Sequence, residues 1–212
     1  MTRLLKRNPL AGQVADTPLG HRLRVSGIFL AVFLMASGID CSSVPENHYF
    51  TMAYVLLPGN AGERPAYQQT VRVRQLEIGP AYDTERIVYR YSPYEFQYYN
   101  FMRWAAKPHV MLTNLIVRHL QHAQLFGDVA MEYHDRVPDY EISGVVYAVE
   151  ELDSGNEWFA HLAFSLRLSR YRGEKVVWSH EVDVKKQVYN KEPVYVVRAL
   201  SELMEAEMQK SL

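Results

Sequence analysis

Cysteine is all but missing from this chain: Cys41 stands alone among 212 residues. A lone thiol excludes an internal disulfide and a thiolate zinc site, leaving a free thiol, an intermolecular bridge or a modification site. Net charge is equally scarce, at −1. A nucleic-acid binder should be visibly basic, so nucleic acid is not expected as a partner. The run Val25–Ile39 has fifteen residues without a charge, short of the ~20 that a membrane-spanning helix usually needs. Catalytic signatures are also lacking. There is no HExxH and no GxSxG, and the Gly/Pro-punctuated loop Pro58–Pro65 has no Lys-Ser/Thr to hold a phosphate. Repeats and low-complexity tracts are absent. With about half the residues apolar, the chain is nonetheless globular.

Charge is unevenly placed. Residues 1–40 carry +3, from Arg3, Lys6, Arg7, Arg22 and Arg24 against Asp16 and Asp40, and the remainder carries −4. The order basic, apolar, small (Ala36, Ser37, Gly38), then Cys41 resembles a bacterial lipoprotein signal, in which the cysteine is acylated and begins the mature chain. Lipoprotein signals usually place Leu, a small residue and Gly or Ala before that cysteine; here Gly38, Ile39 and Asp40 stand there. An uncleaved inner-membrane anchor and an ordinary signal peptide remain open alternatives. If lipidation holds, Ser42 in place of Asp after the cysteine directs the protein to the outer membrane, on its periplasmic face. The expected organisation is a leader over 1–40, a lipidated cysteine and tether over 41–48, and a single domain over 49–212.

Within that domain, Tyr49–Leu57 and Thr70–Ile78 have strand composition. Arg86–Tyr91 and Tyr94–Tyr99 flank Ser92-Pro93 as a hairpin, with aromatic rows expected to face one another across it. From Lys107-Pro108, the residues Met111, Leu112, Leu115, Ile116, His119, Leu120 and Ala123 follow i, i+3, i+4 spacing. That predicts a helix ending near Phe126-Gly127. A short strand is expected around Val129–Tyr133, then a meander of long strands with one wet face, at Tyr140–Leu152, Trp158–Tyr171 and Val176–Val184. Glu192–Leu212 closes the chain as a helix with the stripe Val197, Leu200, Met204 and Met208. The fold class is α+β, a mainly antiparallel sheet with two amphipathic helices packed on one face.

Candidate chemistry is thin. His119 and His122 lie three apart on the first helix and could share a face, but no carboxylate completes a ligand set, so no metal is assigned. Glu150 and Glu151 are neighbours on a strand and point to opposite faces. No enzyme activity and no cofactor are expected.

The segment Arg86–Trp104, "RIVYRYSPYEFQYYNFMRW", holds eight aromatic residues in nineteen positions. Tyr89-Arg90, the Ser92-Pro93-Tyr94 turn, Tyr98-Tyr99, Arg103-Trp104 and Pro108 before a helix resemble the ABC-type transport auxiliary lipoproteins, the PqiC-like family. That resemblance implies a small sheet with two helices and a non-catalytic periplasmic lipoprotein tied to the outer membrane. It further implies docking to an MCE-type (mammalian-cell-entry) protein of an ABC lipid transporter, often as a homo-oligomeric ring. Aromatic and Arg side chains are enriched at such contacts, so Arg90, Tyr94, Tyr98, Tyr99, Arg103 and Trp104 are the candidate partner-binding residues, with part of the set expected in the core. The alternative reading is a structural envelope lipoprotein that assists assembly or plugging of an outer-membrane barrel.

Overall fold

The longest strand, β7 (Tyr140–Ser154), organises the sheet. In a computed structural model that describes residues 45–56, 65–173 and 175–211, two further strands, β8 (Glu157–Arg170) and β9 (Val176–Val188), fold back beside it as an antiparallel meander. The leader, Cys41 and nearly all of the Pro58–Pro65 loop lie outside the described residues.

The other edge of β7 is shared by three short strands laid end to end, all parallel to it. These are β2 (Tyr67–Val73) at Tyr140–Ile142, β3 (Glu77–Ile78) at Val145–Val146 and β4 (Arg86–Ser92) at Glu150–Leu152. Outside β2 runs β6 (Phe126–Ala130), parallel. Outside β4 runs β5 (Glu95–Trp104), antiparallel, and β1 (His48–Phe50) pairs parallel with the end of β5. The described residues thus form nine strands and two helices, an α+β fold as expected. The sheet is mixed: its long ladders are antiparallel, while five short ones are parallel. Parallel neighbours need crossovers of a dozen residues or more, and such connections leave no mark in local alternation.

Helices α1 (Pro108–Ala123) and α2 (Pro193–Lys210) each start with proline in the first turn, where the missing N–H is harmless. Both cover one face of the sheet. Ala160, Leu162, Phe164 and Leu166 on β8 meet Leu112 and Ile116 of α1 and Leu200, Met204 and Met208 of α2 in one buried cluster. A smaller cluster of Tyr82, Val88, Ala148 and Ala163 occupies the reverse face, so the meander's expected wet face is dry at its centre. The loop before β4, carrying Tyr82, closes it.

Four expected elements shift. Strand structure at Tyr49–Leu57 is confined to β1; beyond it, Thr51–Leu56 crosses the helix layer, with Ala53 N donating to Ser201 Oγ on α2 at 3.2 Å. The strand expected over Thr70–Ile78 breaks after Val73, because the Leu76 N–H leaves the ladder for Thr113 Oγ1 on α1 at 3.1 Å. Helix α1 stops at Ala123, where Gln124 turns left-handed at φ 49. Phe126 and Gly127 then enter β6, so that strand begins earlier than expected and ends at Ala130.

Candidate functional site

Alternation sends Ile87, Tyr89 and Tyr91 of β4 to the helix side and Val88 and Arg90 to the reverse face. The partner strand does not mirror this. Between the pairs Val88↔Tyr98 and Arg86↔Arg103, β5 spends five residues for two on β4, a bulge that re-aims its side chains. The two aromatic rows do not face each other as expected, because the register sets Tyr98 opposite Val88 and Gln97 opposite Tyr89. Tyr89 meets Tyr99 with ring centroids 4.6 Å apart. Tyr98 and Phe96 lie instead beneath guanidinium groups, Arg86 Cζ at 4.6 Å and Arg90 Cζ at 5.1 Å from the ring centroids. Cation–π contacts of this kind contribute about 0.5–1 kcal/mol where exposed and more where dry.

Burial divides the six candidate residues. Trp104 is 1% exposed and belongs to the core, because the bulge turns it inward. Tyr98 and Tyr99 are half-buried, with hydroxyls donating to Ala81 O at 3.1 Å and Glu151 Oε2 at 3.1 Å. Arg103 is also half-buried. Tyr94, at the hairpin tip, is 94% exposed, and the sequence reading did not single out its exposed neighbours Tyr91, Phe96 and Phe101. Within the hairpin, the solvent-facing aromatic surface thus lies at the tip and along β5.

Arg90 has a different task. Its Nε and Nη2 donate to Glu150 Oε2 at 2.7 Å and Oε1 at 2.5 Å, a bidentate fork. Glu150 is completely buried. It also accepts from the Tyr82 hydroxyl at 2.5 Å, and its Oε1 lies 2.8 Å from His161 Nδ1. The other ring nitrogen, Nε2, lies 2.9 Å from Asp183 Oδ1. Both ring nitrogens of His161 thus face carboxylate oxygens. Burial pushes the Glu150 carboxyl up, but the bonds from His161, Arg90 and Tyr82 outweigh it and hold the group below the usual carboxylate range. Burial first, then the bond to Glu150, raises the Tyr82 phenol against the opposing charge of Arg90. Glu151, on the opposite face, is pushed up by burial despite the Tyr99 bond. The network joins five residues on four strands and one loop, tying β4 to the meander. Sequence marks Arg90 as a contact candidate and Glu150 only as pointing away from Glu151, although Glu150 inside the apolar run "VVYAVEEL" signals a buried partner.

The histidine pair does not act together. His119 is buried, and its Nδ1 lies 3.0 Å from the Tyr54 hydroxyl. His122 is exposed. Burial first, then the charge of His122, lowers the His119 pKa.

A cavity of about 570 Å³ opens on the helix side, between α1, α2 and the sheet. Among the described residues, no helix is long and apolar enough to cross a membrane.

Residues 54–210 match the model of a family described as the ABC-type transport auxiliary lipoprotein component. No curated protein matches. Among solved structures, a Xanthomonas campestris protein of the DUF330 family superposes with a TM-score of 0.67 at 20% identity, covering 77% of this chain and 92% of its own. A second crystal structure, of an uncharacterized protein, gives 0.58 at 12% identity and covers 79% and 95%. At those identities the likeness establishes the fold alone.

Proposed function

This chain belongs to the ABC-type transport auxiliary lipoprotein family, and we propose that it is a non-catalytic docking component of an MCE-linked ABC lipid transport system. In this reading acyl chains on Cys41 hold it to the periplasmic face of the outer membrane, and the β4–β5 hairpin meets the MCE-type partner. The carrying observation is the pairing of an exposed aromatic tip with a fixed base. Tyr91, Tyr94 and Phe96 are 59%, 94% and 38% exposed, while Arg90 locks the strand behind them to buried Glu150. Rigid aromatic side chains lose little entropy on binding and supply most hot spots. Along β5, Glu95–Phe101 have no strand on their outer side among the described residues. An open edge of that kind accepts a strand from another chain, which supports assembly into a ring of copies.

Co-expression with the MCE-type partner and purification from membranes tests the reading. The wild type should retain the partner, and Tyr91→Ala/Tyr94→Ala/Phe96→Ala should weaken retention roughly tenfold or more, since one hot-spot aromatic is worth about 2 kcal/mol. No association by the wild type would end the proposal. Metabolic labelling with a fatty-acid probe should mark the wild type and leave Cys41→Ala unmarked and released from the membrane.

A further inference from the structure

The cavity opens where α1, resting over β6, and α2, resting over β8 and β9, leave the sheet between them uncovered. Ile142 and Leu166 form its floor, and Ile116, Leu120 and Met208 its walls. Each of these is at most 5% exposed. No charged side chain lines it; the polar groups are Tyr67, Gln69, Tyr140, Trp178 and Ser211. Tyr67 and Gln69 are exposed and stand at the mouth.

Packed interiors leave few voids larger than one water molecule, and a water takes about 30 Å³ of the liquid. This space is many times that, and it falls within the ~300–1,000 Å³ of small-molecule sites. Water itself would find too few polar partners on the floor and walls, each molecule needing two to four. A polar or charged ligand would be desolvated there without compensation.

Shape narrows the choice. The lining residues come from five adjacent strands in the order β6, β2, β7, β8, β9. Four inter-strand steps of ~4.8 Å make the cavity roughly 19 Å long. An elongated apolar space of that length, about 570 Å³ in volume, suits extended hydrocarbon.

We infer that the cavity is a binding site for an acyl chain of a separate lipid, inserted tail first with its polar end at Tyr67 and Gln69. The inference rests on the cavity and not on the docking surface of the hairpin.

Cells fed a fatty acid carrying a mid-chain diazirine provide the test: after illumination the protein is isolated and its adducts are mapped by mass spectrometry. Adducts are expected on Ile116, Leu120, Leu166 or Met208. Leu168→Trp, which fills the cavity, should reduce them severalfold, as should Val177→Trp, whose exposed position spares folding. Val137→Trp, exposed and away from the cavity, should leave them unchanged. Adducts that carry a free lipid support the inference, and adducts joined to the Cys41 peptide would overturn it in favour of the protein's own anchor. Absence of cavity adducts in wild type, or full adduct yield in Val177→Trp, overturns the inference. Partner co-purification is scored on separate samples, so failure of docking and failure of this site are distinguishable.

Discussion

Glu150 is the residue on which most of the electrostatics turn. Removing one member of a buried ion pair typically costs about 3–5 kcal/mol, because the remaining charge is left uncompensated. Arg90→Met should lower stability by that order in urea unfolding. Tyr82→Phe removes a bond to a charged group and should cost about 1.5–3 kcal/mol at neutral pH. The pH dependence has a definite sign. The folded Glu150 carboxyl lies below its ordinary value of 4.5, so its contribution is present above that value and lost as pH falls through the folded pKa. The Tyr82→Phe deficit should therefore shrink in acid; a deficit constant across pH would show that Tyr82 acts by packing alone. Glu151 has the opposite sign. Its folded pKa is raised, so its contribution is fullest below the ordinary value and declines as pH rises through the folded one. Glu151→Gln should raise the urea midpoint at neutral pH, with the gain fading in acid where Glu151 is protonated.

Between elements, single polar atoms set where strands stop. Thr113 is fully buried, and its hydroxyl accepts from Leu76 N and donates to His109 O at 2.6 Å. Thr113→Val keeps the shape and orphans the Leu76 N–H, so it should cost about 1–3 kcal/mol. Hydrogen exchange would show fast exchange at Leu76 with the rest of the sheet protected. Gly144 marks a close approach. A Cβ there would strike the Ser165 carbonyl on β8 and sit 2.9 Å from Leu76 Cδ2. Gly144→Ala should cost about 1–3 kcal/mol by overpacking, or more where backbone must move, read as a lower thermal midpoint. The meander and both helices are legible in sequence because their apolar residues alternate or recur at helical spacing over more than ten positions. The break over residues 74–76 and the left-handed Gln124 are not. Each depends on a partner brought from far along the chain, Thr113 in the first case and the β2 edge beside Phe126 in the second.

For the whole molecule, the sequence identifies the hairpin as the segment of interest, and the fold decides which of its rings face outward. Tyr94 is legible as a surface residue from its place beside Ser92-Pro93. Trp104 is not, because only the bulge on β5 turns it inward. The Glu150 network and the cavity escape sequence reading for one reason: each is assembled from strands whose pairing is non-local. That non-local pairing also governs how the chain matures. Every strand before residue 100 that joins the main sheet does so through β7, directly or through a neighbour, and β7 begins only at Tyr140. The amino-terminal portion emerging from a ribosome can pair only β4 with β5, β1 with β5 and β2 with β6, two patches that nothing yet joins. It stays pliable until the carboxy-terminal meander arrives, and a nascent chain cut before Tyr140 should remain protease-sensitive along its full length.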